Sequence, residues 1–327
     1  MMVVNFSIVD EPTIMFCSIL IAAIVLDLLI GDPRWLPHPV ILMGKFITCL
    51  ENRWNRGEGR VWKGIALTVT VVVVVFTLSV LLVLAAYQVH PFVGVFVQVY
   101  LISTTMAIKG LSSAATEVLV PLVNGNLAEA RVKLSMIVGR DTDRLPENEM
   151  VRGTVETVAE NTVDGITAPL FWAIIGGAPL AMAYRAINTL DSMVGHKDEK
   201  YMQFGWASAK TDDLANWIPA RLTALSMWLA AFFIKGSKKR NGWNITWRDA
   251  KKHPSPNSGW SEAMVAGLIG IQLGGINYYQ GRKSVRAQMG DPLRELVPSD
   301  IEKAILYMHG GWIVFLLISV CFLLLFR

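Results

Sequence analysis

Charge is scarce in this sequence: Asp, Glu, Lys and Arg make up 17% of its 327 residues, against about a quarter in a soluble domain. Cysteine is scarcer still. Cys17 and Cys321 lie in apolar runs and Cys49 stands alone, so no disulfide framework or thiolate metal site is expected. There is no GxxxxGK[ST], GxGxxG, HExxH or CxxC pattern. That excludes a conventional nucleotide-binding loop, a dinucleotide fingerprint and a zinc-protease helix. The residues before Thr13 hold Asp10 and Glu11 but neither Lys nor Arg, the wrong sign for a cleavable leader. The first apolar segment is therefore expected to persist as a helix. No internal repeat or low-complexity tract stands out.

Long apolar runs take the place of charge. Hydrophobic residues are 53% of the chain. Thr13–Gly31, Ile65–Tyr87 and Pro91–Ile108 each approach the roughly 20 residues that cross a hydrocarbon core, and Gly311–Phe326 is slightly shorter. Basic residues gather between them. Six Lys/Arg lie in 32–63, six in 109–152 and seven in 235–252, whereas the turn Gln88–Pro91 has none. By the positive-inside rule those three loops face the cytosol and the short turn faces out. Beside spanning helices this basic charge reads as topology, with no nucleic-acid partner expected.

The expected fold is all-α: a polytopic integral membrane bundle with discontinuous or re-entrant helices in its middle part. We read 1–327 as one membrane domain, with N-terminal spans in 1–108, a cytosolic amphipathic segment in 109–164, a polar-motif part in 165–307 and a C-terminal span in 308–327. Weaker apolar segments fall at about 166–187, 214–234 and 263–281. Gly176–Pro179 breaks the first, Pro219 and Arg221 interrupt the second, and Gln272–Gly275 breaks the third. Broken helices free backbone groups that lipid cannot satisfy, so they line cavities or bury in protein. Within 109–164, Asn126–Gly139 is expected to form an amphipathic helix with Asn126 as N-cap and Gly139 ending it. We expect the polar motifs to share the cytosolic side of an inner (cytoplasmic) membrane.

Five motifs carry candidate chemistry. Glu156, Glu160 and Asp164 stand at i, i+4 and i+8, with Asn161 beside them. Like charges at that spacing repel, so a cation should compensate them: Mg²⁺, a substrate amine, or an internal Arg such as Arg152. The bland alternative is a solvated acidic face. Asp191 and His196 pair a carboxylate with a group that titrates near neutral pH; a hydrogen-bonded structural histidine is the alternative. Asp212, Asp213 and Asn216 lie within one turn and suit Mg²⁺ bridging phosphate oxygens, or else they favour the helix dipole as a cap. Arg221 follows within an apolar segment and needs a partner there. Ser255, Asn257 and Ser258 precede a helix whose N-terminus can hold an anion; Ser258 or Ser261 also suits an N-cap, with Glu262 in the first turn. Lys210 adds charge. Finally, Arg34 and His38 lie in "GDPRWLPHP", where they reach a ligand or anchor the loop.

These motifs fall in six ordered blocks: "LDLLIGDPRWLPHPVILMGK", "GRDTDRL", "VETVAENTVDGITAPLFW", "AYRAINTLDSMVGHKDEKY", "GWASAKTDDLANWIPARLTA" and "HPSPNSGWSEAMVAGLIGIQLGG". Together, over about residues 26–275, they resemble the cobalamin-biosynthesis CobD/CbiB family. The resemblance implies adenosylcobinamide-phosphate synthase activity, a carbon–nitrogen ligation. Such enzymes join the carboxylate of adenosylcobyric acid to the amine of (R)-1-aminopropan-2-ol O-2-phosphate with ATP as co-substrate. It implies partners in the lipid bilayer and other cobalamin-assembly membrane enzymes. The residues can be read onto that chemistry: Mg²⁺ on Asp212, Asp213 and Asn216, and phosphates at Arg221, Lys210 and Ser255–Ser258. The Glu156/Glu160/Asp164 face would then receive the ammonium, and one of its carboxylates or His196 would take the proton. Two alternatives stay open, a membrane transporter of a corrinoid or cation and a Mg²⁺-dependent intramembrane transferase acting on a phosphorylated lipid.

Overall fold

In this computed structural model, residues 11–31, 38–196 and 198–326 are described. The helices in chain order are α1 (Glu11–Ile30), α2 (Pro39–Trp54), α3 (Arg60–Val89), α4 (Pro91–Ser103), α5 (Ile108–Val123), α6 (Leu127–Ser135) and α7 (Glu147–Thr162). A π-helical turn (Val163–Thr167) leads to α8 (Ala168–Val194), followed by α9 (Trp206–Ala215), α10 (Trp217–Ala230), α11 (Lys239–Asp249) and α12 (Ser258–Ile269). An antiparallel hairpin, β1 (Leu273–Tyr279) and β2 (Arg282–Met289), precedes α13 (Ser299–Phe326). Five helical stretches are long and apolar enough to cross a membrane: Glu11–Ile30, Arg60–Val89, Pro91–Val123, Glu147–Val194 and Ser299–Leu325. The chain is a helical, multi-pass membrane protein, as the apolar runs implied.

The chain divides into two compact units. One comprises 1–106, 169–209 and 315–327, the other 107–168 and 210–314. In the first, α4 packs on α1 and α3, and α2 packs on α3. Two of its helices start by the same device. His38 and His90 each accept the backbone N–H two residues on through Nδ1, at 3.3 and 3.2 Å, and Pro39 and Pro91 take the first helical position. Proline there sacrifices no hydrogen bond, because that N–H has no intrahelical partner. Outward-facing Leu78, Leu81, Leu82 and Leu84 of α3 are exposed, which suits lipid rather than water. The break in α8 falls at the expected Gly176–Gly177, where Gly177 takes φ 64° ahead of Pro179.

In the second unit α12 is the buried centre, every residue from Ser258 to Ile269 being inaccessible. It packs against α7, α10 and α11. Gly242 and Gly267 let α11 and α12 meet backbone to backbone, since a Cβ on Gly267 would lie 2.6 Å from Gly242 Cα. Two expectations are corrected here. The segment 263–281 is not one broken helix: Gly270 ends α12 in a left-handed cap and the chain turns into β1. Its Val-, Ile- and Tyr-bearing residues after Gln272 alternate in the hairpin, a signal masked by the neighbouring glycines. The helix expected over Asn126–Gly139 is capped by Asn126 Oδ1 as read, but it ends at Ser135, short of Gly139.

Gly64 of α3 runs against the backbone of Phe204, so that an added Cβ would fall 1.8 Å from the Phe204 carbonyl oxygen. Backbone cannot yield as a side-chain tip can, and overpacking costs about 1–3 kcal/mol. Gly64→Val is expected to lower the thermal unfolding midpoint in detergent by several degrees. Gly110→Ala, which meets nothing within 4 Å, is expected to leave it unchanged or raise it.

Candidate active site

The second unit holds an interlocked set of charges where α7 meets the hairpin. A bulge at Leu273/Gly275, with Gly274 at φ 83°, turns the Gly274 peptide toward α7. Its N–H donates to Glu156 Oε1 at 2.8 Å, and its carbonyl accepts from Arg152 Nη1 at 2.5 Å. Glu156 is only 2% exposed and takes two arginines, Arg152 Nη1 at 3.0 Å and Arg140. Arg140 Nη1 and Arg152 Nη2 both donate to Asn277 Oδ1, at 2.7 and 2.9 Å. The cation expected against this acidic face is therefore internal at Glu156.

Glu160, one turn along α7, has a different setting. It is half-buried and accepts from Ser258 Oγ at 3.0 Å. Asn161, beside it, donates to Thr157 O. A wider π turn runs from Val163 to Thr167 and holds half-buried Asp164. π turns inside helices recur at functional sites.

Behind Glu160 lie two residues that the sequence analysis passed over as catalytic. Glu262, on α12, and His253, in the turn before it, are 1% and 5% exposed, with Nε2 and Oε1 3.5 Å apart. Neither atom has a hydrogen-bond partner. Burial pushes the Glu262 carboxyl well up, with Glu160 and Glu156 adding to the effect. Burial lowers His253, against the pull of Glu160. The Ser255 N–H donates to His253 Nδ1 at 3.0 Å, which places the proton of the neutral ring on Nε2, facing Glu262. The legible signal was Glu262's place near the start of an otherwise uncharged helix that runs on to Ile269.

The remaining candidates are placed as follows. Ser255 Oγ accepts the Asn257 and Ser258 N–H groups at 3.2 and 3.3 Å, so this turn satisfies part of its own helix N-terminus. Asn257 Nδ2 donates to Asp213 O at 2.8 Å. Asp212 Oδ2 accepts from Asn216 Nδ2 at 3.0 Å, whereas Asp213 turns to Lys210 at 3.4 Å. Neighbours at i and i+1 do not share a face, so Asp212 and Asn216 offer a foothold for an ion while Asp213 points elsewhere. Among the described residues no group of three His, Cys, Asp or Glu is arranged to hold a metal. Arg221 finds aromatic partners: its guanidinium lies 4.2 Å from the Trp217 ring centroid and 4.7 Å from that of Trp260.

In the first unit, His38 is the N-cap of α2. Exposed His196 lies near the Tyr201 ring at 6.0 Å, and Tyr201 OH donates to Glu51 at 2.7 Å. Asp191 sits at the end of α8 with its carboxylate against Gly195. Arg34 lies outside the described residues.

A cavity of about 1090 Å³ opens beside the arginine network. Arg144, Arg152, Gln272, Tyr278, Gln288 and Arg294 are among its walls, and Gly274 and Gly275 form part of its lining. None of the described candidate site residues named from the sequence lines it. Arg152 joins the two regions, since it both walls the cavity and holds Glu156.

The sequence matches the CobD/Cbib protein family over residues 20–308. This chain belongs to that family. A relative from Halalkalibacterium halodurans called cobalamin biosynthesis protein CobD is 53% identical over 300 residues, 91% of this chain and 94% of its own. One of the same description from Geobacter metallireducens is 49% identical over 92% and 95%. Cobalamin biosynthesis protein CbiB of Salmonella paratyphi B is 48% identical over 87% and 90%. No solved structure matches.

Removing one partner of a buried ion pair costs about 3–5 kcal/mol. Glu156→Gln is expected to lower the unfolding midpoint and open the hairpin turn at Tyr279–Arg282 to protease. Glu160→Gln, outside the arginine network, is expected to keep both the midpoint and the protease resistance.

Proposed function

We propose that this protein makes adenosylcobinamide phosphate in cobalamin biosynthesis. It joins the carboxylate of adenosylcobyric acid to the amine of (R)-1-aminopropan-2-ol O-2-phosphate, with ATP consumed. The observation that carries this reading is its family membership, with relatives described as cobalamin biosynthesis proteins aligned over nine-tenths of both chains.

Two features of the second unit support this reading. Small-molecule sites run to about 300–1,000 Å³, so a cavity of about 1090 Å³ suits a ligand as large as a corrinoid. The amine is received at Glu160, about 12 Å along α7 from the cavity-lining Arg152. Glu156 could not serve there, because Arg140 and Arg152 already occupy it. The carboxylate is activated by phosphoryl transfer from ATP, the free amine attacks the acyl carbon, and phosphate leaves. Mg²⁺ would be held by Asp212, with Asn216 beside it. Its chemistry there would be to offset the charge of the transferred group. Arg221, its charge spread over two indoles, is available near Asn216 to meet an anion.

Incubating purified protein in detergent with both substrates and Mg²⁺, with and without ATP, tests the reading by mass spectrometry. Product in the complete mixture alone is the expected result, abolished by EDTA. No product, with retained corrinoid binding, would favour transport. Glu160→Ala is expected to raise KM for the amine at least tenfold while leaving corrinoid binding unchanged.

A further inference from the structure

Among the described residues, the facing atoms of the buried pair behind Glu160 are left unsatisfied. Glu262 and His253 face each other at 3.5 Å, slightly beyond a normal hydrogen bond, and each leaves its facing atom without a partner. A buried polar atom left unpaired costs about 1–3 kcal/mol. Replacing the pair with apolar residues would remove that cost, so the pair calls for an occupant.

The charges around it say which kind. Glu156 and Glu160 act on Glu262 from α7, Arg286 from β2 and Arg140 from the loop before α7, with His253 opposite. Including Glu149, which pairs with Arg152, three carboxylates (Glu149, Glu156, Glu160) stand against three arginines (Arg140, Arg152, Arg286). The set is balanced while Glu262 is uncharged, the state that its burial favours. An anion entering would upset this balance and meet Glu160. A cation entering would also upset it, unless a proton left at the same time. Glu262 is the group that holds such a proton.

We propose that Glu160, Glu262 and His253 form a primary-ammonium site in which the incoming cation displaces the proton of Glu262, and that Glu262 then acts as the base that frees the amine. This rests on the amide-forming reading above. An ammonium carries three N–H donors, and the carboxylates of Glu160 and Glu262 are the acceptors offered to it. When it binds, the Glu262 O–H proton passes to solvent and the carboxylate pairs with the cation. One ammonium N–H bond then breaks toward Glu262, which regains its proton, and the nitrogen lone pair forms the bond to the activated acyl carbon as phosphate leaves. The second N–H proton departs with the phosphate. His253, with Nε2–H toward Glu262, steadies the carboxylate while it is charged and is a positioning residue.

The test is calorimetric titration of the detergent-solubilised full chain with aminopropanol phosphate, in buffers of differing ionisation enthalpy between pH 7 and 8.5. The expected result is release of up to one proton per amine bound, with affinity rising up to tenfold per pH unit while Glu262 is protonated in the free protein. Glu262→Gln, which copies the neutral carboxyl, is expected to fold, to lose that proton release, and to cut kcat about 100-fold or more, the worth of a general base. His253→Gln is expected to lower kcat while keeping the proton count. Product formation with equal proton counts in wild type and Glu262→Gln overturns the site and leaves the reaction standing. Absence of both product and amine binding overturns both. A Glu262→Gln chain that does not fold also overturns the proposal, since it would show that Glu262 is needed as an anion. Mg²⁺ alone releasing the same proton would assign the site to a metal instead.

Discussion

One buried carboxylate organises the second unit of this protein. Glu156, closed off from solvent, is held by Arg140, Arg152 and the Gly274 N–H. Because an ion there is tolerable only when fully paired, its partners have no freedom to move. Arg152 must present its other face to Gly274, Ile276 and Asn277, which fixes the hairpin on α7. The hairpin in turn supplies a wall of the cavity. A single demand for neutralisation therefore sets the position of a strand pair, a large hollow and the next acid along the helix.

Neighbouring acids of one helix are thereby given separate tasks. Glu156 and Glu160 have the same side chain and stand one turn apart, yet one is saturated by arginines and the other is met by a serine hydroxyl. Chemistry needs a group that can change partner, and structure needs one that cannot.

Much of this was legible. Apolar length disclosed the spans, Gly176–Gly177 disclosed the break in α8, and Asn126 disclosed a helix start. The acidic stripe pointed to α7 as an element that meets cations. The rest depended on distant pairing. Arg140 in the sequence is one basic residue in a loop, and nothing local shows that it meets Glu156 and Asn277. His253 and Glu262 looked like turn and cap residues because their burial is created by α7 and the hairpin. The hairpin itself was hidden since its glycines, which here make a bulge, read as a break in a helix.

The distance along the chain between these partners has a consequence for biosynthesis. Arg152 binds carbonyls that lie 122 and 124 residues downstream. At the usual 5–20 residues per second, α7 waits roughly 6 to 25 s for the hairpin to be made. Through that interval Arg152 has only Glu149 and Glu156 of its own helix for company, and Arg140 has no strand to bind. A newly made chain is thus most vulnerable at α7 between these two moments. Slow codons or a helper that shields α7 would act in that window, leaving the finished protein unchanged.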